Sequence, residues 1–327
     1  MQTFRTEISV PFSSLTLNHT DKILLMGSCF TEQIGQRLSD CKFKTLLNPN
    51  GIVYNPVSLA ESLDGLRSGK LSPDDSQLFE HQGLWHSWAY HSRFSAPTQK
   101  ETLDGMKRAY NEATEFVQKS DCLILTFGTA DLSVLKSEGR VVANNHKMPA
   151  SLFEQRRMNV EEMVGLWMPI LENWSGKKVL LTVSPVRHLR QGLIENQRSK
   201  AVLLLACEAI CQQLPFVHYF PAYELLMDDL RDYRFYDKDM VHPSTLAVDY
   251  IWKQFSNAYF SESTQQLNER VMKIKSAMHH RPFHVHTAEH QAFLVAQLER
   301  IQLVKQEFPD IDWSIEQAYF SQNIITD

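Results

Sequence analysis

The chain has 327 residues, 43% hydrophobic and 22% charged, with 33 Lys and Arg against 38 Asp and Glu for a formal net charge of −5. Its 12 Gly and 13 Pro are too few for a disordered or collagen-like chain, and its apolar content is enough for a large packed core, so one large domain with additions or two modest domains is expected. The slight acidity gives no global electrostatic reason to expect nucleic acid as a partner.

Short apolar runs, each ending in a turn signal and followed by a helical pattern, recur through the first three quarters of the sequence. They are Ile23 to Met26, a weaker one from Phe43 to Leu47, Leu123 to Phe127, Val179 to Val183 and Phe216 to Phe220. Continuous apolarity marks strands buried on both faces, and the alternation with helices predicts a parallel sheet. Ile34 and Leu38 give the helix after the first strand an apolar face, and Ala201, Leu204, Leu205 and Glu208 continue such a pattern after the fourth.

The second and third runs are separated by about seventy residues, more than a single crossover needs. They hold HQGLWHSWAYHSRFS, read as a loop or small hairpin inserted at the sheet edge at about 57–120. Its Trp85, His86, Trp88 and His91 form either a sugar-stacking wall or an aromatic mini-core. From about residue 261 the pattern is helical only: Leu267, Val271, Ile274 and Met278 share one face, as do Leu294, Leu298 and Ile301, with Thr287 as N-cap and Pro309 as stop. The expected organisation is therefore a sheet domain over 1–260 and a helical extension over 261–327.

Five Cys contain no C-x-x-C pair, and no stretch is apolar enough to span a membrane. The start MQTFRTEISVPFSSL lacks a basic segment followed by an apolar run. These features predict a cytoplasmic protein with free thiols and no membrane span. The histidines between 279 and 290 have no carboxylate or Cys at ligand spacing, so no metal site is expected.

Open parallel sheets bind ligands at the carboxyl ends of their strands. Ser28 follows the first strand directly and opens a helix, where it serves either as a plain N-cap or as a nucleophile beside unpaired amides. Asp239 lies three residues before His242, the only such Asp–His spacing in the chain. That separation lets a carboxylate hold one imidazole nitrogen while the other faces a nucleophile. Cys29 is a chemically sensible rival nucleophile at the same helix start.

These pieces, with NPNGIVYNP at 48–56, FGTAD at 127–131, NNHKMP at 144–149, SPVRH at 184–188, ENQRSKA at 195–201 and FPAYELL at 220–226, resemble the GSCFA family, within the SGNH (GDSL-like) hydrolase superfamily. The resemblance spans roughly residues 1–260. It implies an α/β, three-layer α/β/α flavodoxin-like fold and a hydrolase site with Ser28 as nucleophile, His242 as base, Asp239 as the acid orienting it, and Gly51 as an oxyanion-hole donor. Cys29 stands where the superfamily's first block carries Asp. The third block, Gly128-Thr129-Ala130-Asp131, lacks the usual Asn, for which Thr129 is a substitute donor. Asn145 and His146 either reach into the site or form a tight turn, and Arg187 and His188 either contact substrate or tie down a neighbouring loop.

The activity expected from this resemblance is ester hydrolysis through an acyl-enzyme, on an acyl, foremost acetyl, ester of a small or carbohydrate substrate, with no cofactor. The alternatives are an O-acyltransferase using the same triad and a non-catalytic glycan-binding or scaffold protein on the same fold.

Overall fold

The computed structural model describes residues 6–325; the outermost residues of the two expected segments lie outside them. Five parallel strands form the central sheet: β1 (Lys22–Gly27), β2 (Lys44–Leu47), β5 (Cys122–Phe127), β9 (Lys178–Val183) and β10 (Val217–Phe220). Their spatial order is β10-β9-β5-β1-β2, so the winding reverses between β1 and β5, where open α/β sheets leave a crevice at the strands' carboxyl ends. All five expected strands are present.

Side chains alternate across the sheet with period two. Leu24 and Met26 of β1 and Leu123, Leu125 and Phe127 of β5 pack under α2 (Pro56–Ser68), α3 (Gln99–Gln118), α4 (Val160–Glu172) and α5 (Leu193–Gln213). Ile23, Leu25, Cys122 and Ile124 face α1 (Cys29–Asp40), the short α6 (Ala222–Glu224) with its following π-turn, and α7 (Thr245–Tyr259). This is the expected three-layer α/β/α architecture.

The long connection between β2 and β5 contains α2 and α3 with the expected hairpin, β3 (Leu78–His81) and β4 (Leu84–Ser87), between them. The hairpin does not extend the central sheet. It leads into Trp88, whose carbonyl accepts from Ala143 N, beside a separate antiparallel sheet of β6 (Asp131–Leu135), β7 (Arg140–Val141) and β8 (Phe153–Arg157).

Helix α5 departs from the expected phase. Ala201, Leu205 and Glu208 are exposed, whereas Asn196, Ser199, Lys200, Leu203, Ala206, Cys207 and Ile210 face inward. Leucines and alanines on both sides hide the amphipathic phase, and polar residues hold the buried stripe at its first turns because their partners are strand-end backbone groups.

Helices α8 (Glu262–Met278), α9 (Ala288–Glu307) and α10 (Ser314–Gln322) have their own core of Leu267, Val271, Ile274, Leu294, Ile301, Trp313 and Phe320. Thr287 caps α9 through its hydroxyl, which accepts from His290 N. The extension docks where α1 turns into β2: Lys275 Nζ lies 2.6 Å from Asp40, and Lys42 Nζ lies 2.6 Å from Glu316. Because α1 begins at Ser28 and ends at Asp40, these contacts are at the end of α1 remote from Ser28. Among the described residues no helix is long and apolar enough to cross a membrane.

Candidate active site

The β1–α1 junction is built around Gly27, whose φ of +144° is closed to most side chains; a Cβ there would sit 2.2 Å from Thr126 O. Its N–H donates to Asn48 Oδ1 at 2.9 Å and its carbonyl accepts from Val53 N at 3.1 Å, so the segment after β2 grips it on both sides. Ser28 is buried at 2% exposure and adopts extended backbone at the N-cap of α1. Its Oγ accepts from Phe30 N at 3.3 Å, a long bond, and its own N–H donates to Thr126 O at 3.1 Å. Ser28 is thus a cap, and the cap holds its oxygen at the positive end of the helix.

Cys29 packs partly buried against the α1–α7 layer, and burial pushes its thiol up. Thiolate is disfavoured there despite the helix start, so the structure gives the Cys29 rival no support.

The dyad is assembled. His242 Nδ1 lies 2.6 Å from Asp239 Oδ2, while Asp239 Oδ1 accepts the N–H groups of Val241 and His242 at 2.8 and 2.9 Å. A carboxylate only accepts, so Nδ1 carries the proton and Nε2 is left as the acceptor. Those bonds, the His242 amide's first, draw the Asp239 carboxyl down to about 2. The loop closes on itself through Asp237 N to His242 O at 2.7 Å.

Arg187 ties this loop to the sheet. Its N–H donates to Val241 O at 3.1 Å, and its guanidinium lies 3.9 Å from the Tyr236 ring centroid and reaches Met240 O at 3.5 Å. Its partners are backbone oxygens and an aromatic face, so it ties down the neighbouring loop. His188 follows it with Nε2 buried and unpartnered, and burial first, then the charges of Lys200 and His242, hold its imidazole down at about 3. His188 is therefore neutral and close enough to His242 to feel it. No hydrogen bond joins Ser28 Oγ to His242 among the described residues.

The expected oxyanion donors are engaged. Gly51, at φ +81°, donates its N–H to Asn48 O at 2.7 Å, and a Cβ on it would meet His91 Cβ at 2.2 Å. Thr129 donates its N–H to Tyr54 O at 3.2 Å, and its hydroxyl is shared with Ser199 at 2.8 Å and Asp131 at 3.3 Å. The Thr129 side chain therefore serves the junction with α5.

Asn145 and His146 form the tight turn. Met148 N donates to Asn145 O at 2.9 Å, and both His146 and Lys147 have positive φ. The His146 ring is 6% exposed, donates Nε2–H to Ser87 O at 2.7 Å, and lies against His86, Phe79 and Trp88. Trp88 in turn stacks on Phe79 at 3.9 Å, which makes this cluster the aromatic mini-core. His91 alone reaches the site's rim, through Gly51.

Sequence reasoning missed Asn48, Asn196, Ser199 and Lys200. Asn196 Oδ1 accepts from His188 N at 2.9 Å, and Ser199 Oγ accepts from Ala130 N at 2.8 Å. The available signal was weak: Asn196, Ser199 and Lys200 share one face at i, i+3 and i+4, but they lie within a run of six polar residues at 195–200.

Two clefts, of about 350 and 360 Å³, do not include Ser28 in their linings. The first is lined by Glu61, Trp88, Tyr90, Tyr110 and Arg140, the second by Arg187, Tyr223, Tyr233 and Tyr236.

Among curated proteins and solved structures nothing matches the chain. The GSCFA family profile matches residues 22–255, from the start of β1 into α7, and that of the GSCFA domain protein, C-terminal domain, matches residues 271–326, covering most of the three-helix extension. Because the first match covers well over half of the chain, the chain belongs to the GSCFA family.

Proposed function

We propose that this protein is a serine hydrolase of the SGNH (GDSL-like) type, cleaving an acyl, foremost acetyl, ester of a small or carbohydrate substrate. The observation that carries the reading is the Asp239–His242 dyad, with its 2.6 Å bond and free Nε2, on a loop anchored by Arg187 to the same carboxyl edge that presents Ser28. Substrate binding closes His242 onto Ser28, since catalytic bonds of this kind often tighten only in the complex. Nε2 takes the Ser28 proton as Oγ attacks the carbonyl; collapse of the tetrahedral intermediate expels the alcohol, which receives that proton. Water, deprotonated by His242, then attacks the acyl-enzyme and releases the acid and free Ser28. The oxyanion draws on the helix end of α1 and on the Ser28 and Gly51 amides once these leave Thr126 O and Asn48 O. His188 lines the edge as a neutral group, and the five free thiols fit a cytoplasmic setting.

Hydrolysis of p-nitrophenyl acetate and butyrate by wild type, Ser28→Ala, Cys29→Ala and His242→Ala proteins tests this. The expected result is loss of roughly 10³-fold or more with Ser28→Ala and His242→Ala and little change with Cys29→Ala. Equal rates in all four proteins contradict it. Adding sugar acceptors to the same assay separates hydrolysis from O-acyl transfer.

The engaged oxyanion donors favour one second reading, a non-catalytic glycan-binding protein using the cleft beside Trp88 and Tyr90. It predicts unchanged glycan binding by Ser28→Ala protein and no turnover by wild type.

A further inference from the structure

Lys200 is 1% exposed, and its Nζ donates to Gly128 O and Ser184 O at 2.6 Å each. These carbonyls stand just beyond the ends of β5 and β9, at the edge where Ser28 sits. A carbonyl oxygen aimed at that edge has the wrong sign for a developing oxyanion, and an ammonium on two of them reverses the local field. Among the described residues Lys200 forms no salt bridge to a carboxylate. The groups around it are the Cys29 thiol from α1, His188 from the segment after β9, and the Tyr223 ring from α6, 5.6 Å away. A fully buried cation without a counter-charge is costly to keep, and such groups cluster at functional sites.

We propose that Lys200 is a positioning residue for acyl transfer: its buried ammonium holds the Gly128 and Ser184 carbonyls and supplies the positive potential that stabilises negative charge on the Ser28 intermediate, where the third-block Asn is missing. The inference rests on the hydrolase reading above. It assigns the cation a through-space role, with no contact to the reacting atoms. Burial pulls the ammonium down to about 7, with the Cys29 thiol opposing. Protonated Lys200 is the active form, so its contribution is present below that pH and is lost as pH rises through it.

The test is the rate at which a fluorophosphonate labels Ser28, followed from pH 5 to 9 in wild type, Lys200→Gln, Lys200→Met and Cys29→Ala proteins, with Ser28→Ala as blank. Gln retains an N–H donor without charge; Met retains neither. Wild type is expected to lose labelling on a one-proton alkaline limb, and Cys29→Ala to keep that limb. Both Lys200 variants are expected to label roughly 10–100-fold more slowly below the limb, with the limb gone. Gln labelling at the wild-type rate with the limb intact would show a merely structural clamp and overturn the proposal, as would a wild-type profile without the limb even where neither variant folds. A limb that disappears in Cys29→Ala assigns it to the thiol and likewise overturns it. Labelling that persists in Ser28→Ala defeats the hydrolase reading itself, an outcome distinct from the others.

Discussion

At the residue scale, the proposed chemistry turns on which nitrogen of His242 carries the proton. Asp239→Asn keeps the oxygen that accepts from Val241 and His242 N–H but turns an NH₂ toward Nδ1, forcing the other tautomer. Ester turnover is expected to fall by roughly 10²–10⁴-fold in protein that remains folded; a drop under threefold contradicts the orienting role. Asp239 has its folded value drawn below the ordinary 3.8 to about 2, so the dyad's contribution is complete above the ordinary value and is lost as pH falls toward 2. His146 acts with the same sign in a higher pH window. Burial holds its imidazole down at about 4, from an ordinary 6.5, so between those values the unfolded chain binds the extra proton. Stability therefore rises with pH across that window and falls on acidification. Thermal melts at pH 7 and pH 5 are expected to show a smaller drop for His146→Gln than for wild type; an equal drop contradicts the assignment.

At the element scale, the strand–helix junction and the dyad loop are held by backbone geometry. Gly27→Ala places a Cβ 2.2 Å from Thr126 O at a φ of +144°, and a loss of roughly 3 kcal/mol or more is expected in urea titration. Arg187→Met removes the guanidinium from the Tyr236 face and from Met240 O while leaving the Arg187 N–H bond to Val241. It is expected to lower kcat about tenfold with KM nearly unchanged; a pure KM effect would identify Arg187 as a substrate contact. The strands were legible because β1, β5 and β9 are buried on both faces and so are apolar almost throughout, with Thr126 and Thr182 the interior exceptions. Ser28 and Asp239–His242 were legible for a related reason, since each lies beside a strand end or within one turn of its partner. The engaged amide of Gly51, the Thr129 hydroxyl on Ser199, and Lys200 on Gly128 and Ser184 were not. Their partners are often backbone atoms, which leave no residue signature, and the Thr129 and Lys200 contacts join segments distant in sequence.

At the scale of the whole molecule, the sheet domain and the helical extension meet at the end of α1 remote from Ser28. Glu316 is 3% exposed and paired with Lys42 at 2.6 Å. Lys42→Ala strands that carboxylate and is expected to cost about 3 kcal/mol, read as easier release of α8–α10 in limited proteolysis, while Ser28 labelling is unaffected. Loss of labelling in parallel with release would place the extension in the site's support. The separation agrees with two distinct family profiles, the first ending at residue 255 and the second beginning at residue 271. The central claim is that one serine at the β1–α1 junction is the nucleophile, and the most direct measurement is peptide mapping by mass spectrometry of the wild-type protein after fluorophosphonate treatment. A single adduct on Ser28, absent from His242→Ala, is the expected result; an adduct elsewhere, or none while the protein is folded, contradicts the account.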